Sequence, residues 1–224
     1  MKRMFFVVVL LVGTCTFAQE GITKETGKFD EVKVFDGISA QLFPSGENKV
    51  VISGEDAESV NVVNNNGVLK VRMNFDKSFN GHKTFVEIHY NQKLSLLDVN
   101  ENAFIGAPEP FKQIDLELRA QEGGEIDITV EADKLKSRAV TGGILTVKGK
   151  AKNQEVRINT GGTFNGSTLE TEQTTINLNA GGNAGINASE YAEVKVKAGG
   201  TVKVYGNPKV LDKQTFLGGK IIEE

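Results

Sequence analysis

Four basic residues return at regular intervals in the second half of the chain, and they are its clearest candidates for binding chemistry. They are Arg119, Arg138, Arg157 and Lys195, in which the last interval is twice each of the first two. Three of them have a glutamate two positions earlier, at Glu117, Glu155 and Glu193. If these segments stack in register, like charges at strand spacing repel by about 1 kcal/mol each unless they are neutralised. Two interpretations stay open: a surface ladder of ion pairs, or a stripe that binds an anionic glycan or an acidic partner.

Candidate catalytic residues are few. Glu125 and Asp127 form a carboxylate pair, and their i, i+2 spacing on a strand would separate them by about 6.5–7 Å. That separation is compatible with an inverting glycosidase, although a solvated strand is the plainer interpretation. The two histidines, His82 and His89, have no cysteine or carboxylate cluster with them and are expected on the surface rather than in a metal site. We therefore predict no catalytic residue, no metal and no cofactor.

A repeated pair of glycines indicates the elements that must position these residues. The pairs are Gly123-Gly124, Gly142-Gly143, Gly161-Gly162, Gly181-Gly182, Gly199-Gly200 and Gly218-Gly219. A nearly constant period of about 19 residues is typical of a solenoid, in which each repeat makes one coil. In most repeats, apolar residues stand three positions before the first glycine and three and five positions after it. This alternation predicts strands with one buried face.

The repeat predicts an all-β fold, a parallel β-helix whose coils stack at about 4.8 Å. The glycine pairs are interpreted as structural corners, because glycine permits positive φ and close backbone approach. The residue before a pair is mostly small, as at Thr160 and Ala180, which we interpret as the sign of a crowded inner corner. The alternative, a phosphate-binding loop at residues 181–185, lacks a following helix and a lysine.

The first part of the chain, residues 19–100, is β-rich but less regular than residues 101–224. Stretches such as KVVIS and TFVEIHY alternate as strands do, and NNNG and FNGH supply turn residues. No linker separates the two parts, so we predict a single domain over residues 19–224. The N-terminal part is expected to cap one end of the coil stack, where uncovered strand edges would invite aggregation.

Residues 1–18 are interpreted as a secretory signal peptide. Lys2 and Arg3 precede an apolar run that is too short to span a bilayer, and small residues then allow cleavage before Gln19. Cys15 leaves a lipoprotein anchor open as an alternative, which the threonine before it weakens. Without Cys15 the mature chain has no cysteine, and so no disulfide or thiolate. Cleavage also lowers the net charge from −3 to about −5, which argues against a nucleic-acid partner.

Three stretches of the chain resemble one bacterial family. They are KFDEVKVFDGISAQLFPSGENKVVISGE, the repeated GG-x-h-x-h coils, in which h is apolar, and KVKAGGTVKVYGNPKVLDKQTFLGGKI. Together they resemble the family called putative auto-transporter adhesin, head GIN domain, over essentially all of the mature chain. The resemblance implies a right-handed β-helix and an exported bacterial envelope protein. It implies no established activity and no catalytic residues that could be transferred to this sequence.

The residues and the resemblance together favour a non-enzymatic binding or structural module of a Gram-negative envelope. Its location would be the periplasm, the outer membrane or the cell surface, with no transmembrane segment in the mature chain. A glycan or an envelope protein is the expected partner. Two alternatives remain: an accessory protein that acts by self-association, including as a homo-oligomer, and a carbohydrate-active β-helix enzyme.

Overall fold

The computed structural model describes residues 21–224, and within them seventeen strands form one continuous hydrogen-bonded sheet. The predicted signal peptide and Cys15 lie outside the described residues. The strands are β1 Ile22–Glu25, β2 Glu31–Val34, β3 Ser39–Pro44, β4 Lys49–Gly54, β5 Val60–Asn65, β6 Val68–Met73, β7 Thr84–Tyr90, β8 Leu96–Val99, β9 Phe104–Gly106, β10 Phe111–Ala120, β11 Glu125–Val140, β12 Ile144–Asn159, β13 Thr163–Asn179, β14 Asn183–Lys197, β15 Thr201–Tyr205, β16 Val210–Phe216 and β17 Lys220–Glu223. Short 3₁₀-helices lie at Ala57–Ser59, Phe75–Lys77 and Gly81–Lys83.

From β10 onward, each coil pairs in parallel with the next. Arg138 of β11 lies opposite Arg119 of β10 on one side and Arg157 of β12 on the other. The register shifts after Thr146, which lengthens the next coil slightly and sets Arg157 opposite Asn177. The predicted parallel β-solenoid with coils of about 19 residues is therefore confirmed.

Inward-facing side chains form the predicted apolar columns. One column consists of Ile126, Leu145, Phe164, Ala184 and Val202, none of which is more than 5% exposed. Because consecutive side chains of a strand point to opposite faces, the positions between these residues face outward and carry most of the polar groups. Each coil covers the apolar side chains of the one before it, so the core continues along the whole stack.

Each glycine pair lies in a tight turn between two strand segments of a coil. In the turn before β12, Thr141 and Gly142 have φ of 49° and 74°, and the Gly143 amide donates to the Val140 carbonyl at 2.9 Å. Positive φ at both central positions with an i to i+3 hydrogen bond defines a type I′ turn. A Cβ on Gly142 would meet nothing within 4 Å, whereas one on Gly143 would lie 2.1 Å from the Ala120 carbonyl oxygen of the preceding coil. Glycine is thus favoured at the first position because of its positive φ, and at the second position because the preceding coil leaves no room for a Cβ.

The crowding expected before each glycine pair is not found. Thr160 and Ala180 are exposed, and the larger Glu122 and Leu217 occupy the same position in other coils. What these residues share is a left-handed backbone, with φ between 49° and 58° in all six turns. That conformation is unfavourable for any residue with a Cβ, and most of all for a β-branched threonine. The turns therefore hold backbone strain at each coil.

The N-terminal part contains coils that the glycine pattern did not reveal. Parallel pairing places β8 and β9 in the coil before β10, and β2 and β3 in the coil before that. Their turns are centred on Glu101-Asn102 and Asp36-Gly37, and all four residues have positive φ. These are the same turns built from other residues. Strands β6 and β7 pair in parallel with the far side of β2 and β3, so the order of the stack differs from the order of the chain.

Antiparallel strands cover the N-terminal end of the stack. Strand β5 runs antiparallel to β6, β4 to β7, and β1 to β4. They occupy the hydrogen-bonding edge that β6 and β7 would otherwise expose. The structure thus has the cap that was expected of the N-terminal part, and the cap and the coils share one cluster of buried apolar residues.

A few polar side chains lie inside the stack. Thr171 and Thr174 are hydrogen-bonded at 2.7 Å, and the Thr174 hydroxyl donates to Gln154 Oε1 at 3.1 Å. Ser137, at 2% exposure, has no hydrogen-bond partner for its hydroxyl among residues 21–224. Burial of a hydroxyl without a partner costs about 1–3 kcal/mol, so Ser137 weakens the core locally.

Candidate functional site

The four sequence-predicted basic residues lie on one outward sheet face, and we call Arg119, Arg138, Arg157 and Lys195 the cation row. The three arginines are direct neighbours in consecutive coils, and Asn177 separates Arg157 from Lys195. With strands about 4.8 Å apart, the backbones that carry the three arginines span only about 10 Å. The register predicted from their regular spacing therefore brings three like charges together.

Most of the cation row is neutralised by glutamates of the same strand. The pairs are Arg119–Glu117 at 2.7 Å, Arg157–Glu155 at 2.6 Å and Lys195–Glu193 at 2.5 Å. The hydrogen bond that Arg119 donates to the Glu117 carboxylate raises the pKa of Arg119 above its usual value. Solvent reaches all three pairs, so each contributes no more than about 1 kcal/mol to stability. For these residues the arrangement is a surface ladder of ion pairs.

Arg138 differs from its neighbours in the row. The residue two positions before it is Lys136 instead of a glutamate, and both side chains are exposed. In the part of the chain that the structure describes, neither makes a salt bridge. Glu117 and Glu155 lie opposite Lys136 in the adjacent coils, but each binds the arginine of its own strand. Within residues 21–224, Arg138 and Lys136 are thus the members of this cluster left without a carboxylate contact.

The surface around Arg138 forms a shallow groove of about 250 Å³. Its charged lining residues are Arg119, Arg138, Arg157, Lys136, Glu117 and Glu155, which is four cations against two carboxylates. A net charge near +2 on an otherwise acidic protein is suited to a ligand with carboxylate or sulfate groups. Lys136 was not among the binding residues predicted from the sequence, although its place between Glu117 and Glu155 at the equivalent position of successive repeats was the signal that could have shown it.

A buried acid lies at the N-terminal end of the turn column. Asp36 is fully buried and accepts hydrogen bonds from the amides of Met73 at 3.0 Å and Phe79 at 3.2 Å. Glu101 occupies the equivalent turn in the next coil. Burial, followed by the charge of Asp36, raises the pKa of Glu101 above its ordinary value. Asp36 thus holds the loop that carries Phe79 against the stack. The raised pKa of Glu101 means that its charged form is unfavourable in this position.

The candidate glycosidase carboxylates do not form a catalytic arrangement. Asp127 is bound by Lys148 at 3.0 Å, and Glu125 lies beside it on the same strand segment. The facing positions of the next coil are Ile144 and Thr146, which supply no further acid or base. The geometry therefore supports the plainer interpretation of a solvated strand.

The two histidines lie apart in different environments. His82 is exposed, while the His89 Nε2 atom lies 3.2 Å from Glu87 and the His89 ring stacks on Phe43, with ring centres 5.5 Å apart. Residues 21–224 contain no group of three or more His, Cys, Asp or Glu side chains arranged to hold a metal ion.

The candidate phosphate loop at residues 181–185 belongs to the turn column. The Ala180 amide donates to the Lys197 carbonyl at 3.0 Å, and the Asn183 amide donates to the Gly162 carbonyl at 3.2 Å. These hydrogen bonds to neighbouring coils hold the segment in place as one of the stacked turns.

Fold and surface together define a class of protein: a capped β-solenoid whose flat outward faces carry ladders of charged and polar side chains. No helix within residues 21–224 has the length and apolar character that a membrane crossing would require. The chain belongs to the family described as "Putative auto-transporter adhesin, head GIN domain", which matches residues 28–208.

Solved structures show the same fold at low sequence identity. A putative adhesin from Bacteroides fragilis NCTC 9343 is 18% identical, with a TM-score of 0.82 over 92% of this chain and 98% of its own. A putative adhesin from Parabacteroides distasonis ATCC 8503 is 19% identical, with a TM-score of 0.71 over 91% and 96% of the two chains. A putative lipid binding protein from the same organism is 14% identical, with a TM-score of 0.66 over 92% and 96%. No curated protein matches the chain.

Proposed function

We propose that this protein is an exported, non-enzymatic binding module of a Gram-negative cell envelope that holds an acidic glycan on its cation row. The observation that carries the proposal is that Arg138 of the cation row and Lys136 beside it have no carboxylate contact within residues 21–224, while the other three members of the row are paired. A carboxylate or sulfate of a ligand would complete the ladder at that point. The signal-peptide pattern of residues 1–18 and the adhesin description of the family support export and binding.

The geometry favours a polymer over a single small anion. The row runs along the solenoid axis, so a polymer with one acidic group on Arg138 and Lys136 can continue over the neighbouring coils on either side. Arginine also suits this task, because its planar guanidinium forms two parallel hydrogen bonds to a carboxylate or sulfate. Since the site is open to solvent, its binding should weaken as salt rises.

The proposal is tested with the double variant Lys136→Gln/Arg138→Gln and a control matched in charge. The control is Lys150→Gln/Lys152→Gln, which removes two cations from another face, where they bind Glu170 and Asp133. Binding to polygalacturonate and dextran sulfate is measured over a salt series, with neutral dextran as the blank. We expect the first variant to lose about tenfold in affinity, the order of a charge-assisted hydrogen bond, and the control to retain binding.

Two results would contradict this function. If both double variants lose affinity equally, only the net charge matters and the row is not a site. If wild-type protein binds neither acidic polymer at low salt, the surface ladder is purely structural. A folded state confirmed by circular dichroism for each variant makes both results interpretable.

A second candidate function, self-association, is favoured by two adjacent exposed apolar side chains. Phe216, at the end of β16, is 65% exposed, and Leu217 in the following turn is 75% exposed. Exposed apolar side chains grouped in this way are typical of contact surfaces. Light scattering across a range of concentrations tests this, with Phe216→Ser/Leu217→Ser as the variant; a monomer at all concentrations would eliminate it.

A further inference from the structure

A cleft of about 500 Å³ lies away from the cation row, where the ends of three segments meet. Pro44 ends β3, Tyr90 ends β7, and Pro110 and Phe111 lead into β10. Gln92 and Glu109 also line it. We call the site formed by these residues the aromatic cleft. Nothing in the cation-row function uses it.

Tyr90 gives the cleft an aromatic wall with a polar tip. Its ring is nearly parallel to that of Phe111, at an interplanar angle of 4° and a centroid distance of 6.1 Å, so packing fixes its orientation. Burial and the nearby Glu109 carboxylate raise the pKa of Tyr90 to about 12, which keeps the phenol protonated and able to donate. In residues 21–224 the phenol has no hydrogen-bond partner. An oriented tyrosine of this kind offers an apolar face and one donor.

The unpaired side-chain amide of Gln92 is the observation that most favours a ligand in the cleft. Both its amide nitrogen and its amide oxygen are shut off from solvent, and neither has a hydrogen-bond partner in the described chain. Leaving polar atoms buried and unpaired is unfavourable, and native proteins rarely keep them without a reason. Within residues 21–224 no hydrogen bond opposes a rotation of this amide toward the cleft that Gln92 lines. The amide both donates and accepts, so it matches a group that does the same.

The charges at the rim indicate a neutral ligand. Glu109, Lys93 and Lys112 all line the cleft. The Lys93 ammonium donates to the Lys112 carbonyl, and the Lys112 ammonium forms a salt bridge with Glu131 at 2.9 Å. Because both ammonium groups already have partners, neither needs an anionic ligand. An acidic ligand would be repelled by Glu109, and a purely apolar ligand would leave the Gln92 amide unpaired.

We propose that the aromatic cleft is a second binding site, which takes a neutral pyranose ring. The C–H face of the sugar would lie against Tyr90 and the two prolines. Its hydroxyl groups, which donate and accept, would pair with the Tyr90 phenol, the Gln92 amide and the Glu109 carboxylate. An apolar wall with a few convergent polar groups is the general form of a small-molecule site.

The test is saturation-transfer NMR on the full protein with the methyl pyranosides of glucose, mannose, galactose and N-acetylglucosamine. Tyr90→Phe removes the donor and keeps the ring, and Gln92→Leu removes the amide and keeps the volume. We expect each to weaken binding about three- to tenfold, the loss of one hydrogen bond. Tyr205→Phe, on a different face, should leave binding unchanged, as should Lys136→Gln/Arg138→Gln.

A stability measurement separates binding from structure. Gln92→Leu removes an unpaired buried amide, so it should raise the melting temperature while it lowers sugar affinity. The proposal fails if no pyranoside binds wild-type protein, or if Tyr90→Phe and Gln92→Leu both bind as wild type does. It also fails if a proline-rich hexapeptide, but no sugar, perturbs the Tyr90 signals. Loss of acidic-polymer binding in the cation-row variant bears on the first site alone.

Discussion

Gly161→Ala and Gly162→Ala are adjacent substitutions with different expected effects on stability. Gly161 has φ of 75°, and a Cβ there would meet nothing within 4 Å. At Gly162 a Cβ would lie 2.3 Å from the carbonyl oxygen and 2.6 Å from the carbonyl carbon of Ala139 in the preceding coil. The first change therefore meets only a backbone preference, whereas the second pushes two coils apart.

The magnitudes follow from these two mechanisms. Placing an alanine in the left-handed region destabilises the folded state by about 1–2 kcal/mol. Replacing glycine also lowers the entropy of the unfolded chain, which offsets about 0.4–1 kcal/mol of that loss. Gly161→Ala should therefore lower the free energy of unfolding by about 1 kcal/mol. Overpacking against a fixed backbone costs about 3 kcal/mol or more, because Ala139 cannot move without displacing its own coil. At about 2–4 °C per kcal/mol for a chain of this size, Gly162→Ala should lower the melting temperature by about 6–12 °C.

Thermal and urea unfolding, followed by far-ultraviolet circular dichroism, measure both variants. Thr160→Asn is a useful third member of the series, because asparagine tolerates the left-handed conformation that Thr160 adopts at φ 49°. It should raise stability slightly. If Gly161→Ala lowers the free energy of unfolding as much as Gly162→Ala does, then the two glycines are not required for different reasons, and the explanation from φ and from close packing is wrong. The left-handed strain at Thr160 is refuted if Thr160→Asn destabilises the fold.

Three further predictions concern charge and burial. Because the folded-state pKa of Glu101 is raised, the stability gained from its neutral form is present at low pH and lost as pH rises through that pKa. Glu101→Gln should therefore raise the melting temperature at neutral pH and equal wild type below the ordinary glutamate pKa; an equal difference at all pH values would refute this. Ser137→Ala removes a buried unpaired hydroxyl and should raise the melting temperature by about 2–4 °C, or about 1 kcal/mol, in a thermal scan; an unchanged or lower value would show that the hydroxyl is satisfied. Arg138→Glu sets a carboxylate between two arginines and should add up to about 1 kcal/mol of stability while it weakens acidic-polymer binding by about tenfold or more; loss of stability would show that Arg138 is not repelled in the free protein.

The periodic part of the fold was predictable because its period is nearly constant. The even spacing of Arg119, Arg138 and Arg157 along the chain was enough to predict that they lie side by side in consecutive coils. The strand register of the structure places them so. The turn chemistry was harder to predict. Small residues such as Thr160 and Ala180 suggested crowding, but the position is exposed and the real constraint is its positive φ.

The N-terminal coils and the aromatic cleft could not be read from the sequence for a different reason. Asp36-Gly37 and Glu101-Asn102 make the same turns as the glycine pairs, yet residues bulkier than glycine follow them, so no common motif appears. The stack also places β6 and β7 outside β2 and β3, against the order of the chain. Tyr90 and Phe111 meet only through that arrangement, and they lie in segments with no shared pattern.

The N-terminal coils and the later coils differ in how far apart their partner strands lie along the chain, and this difference sets an order of assembly. Glu31 of β2 pairs with Leu96 of β8, with five strands between them in the chain, while Arg119 pairs with Arg138 of the very next strand. The long closure is the slow step, since its entropy is lost before any long-range contact forms. Once the N-terminal edge exists, each later coil needs only a short closure onto a finished template. We expect pulse-labelled hydrogen exchange to show β2 and β8 protected before β14 and β15; protection in the reverse order would contradict this directional growth.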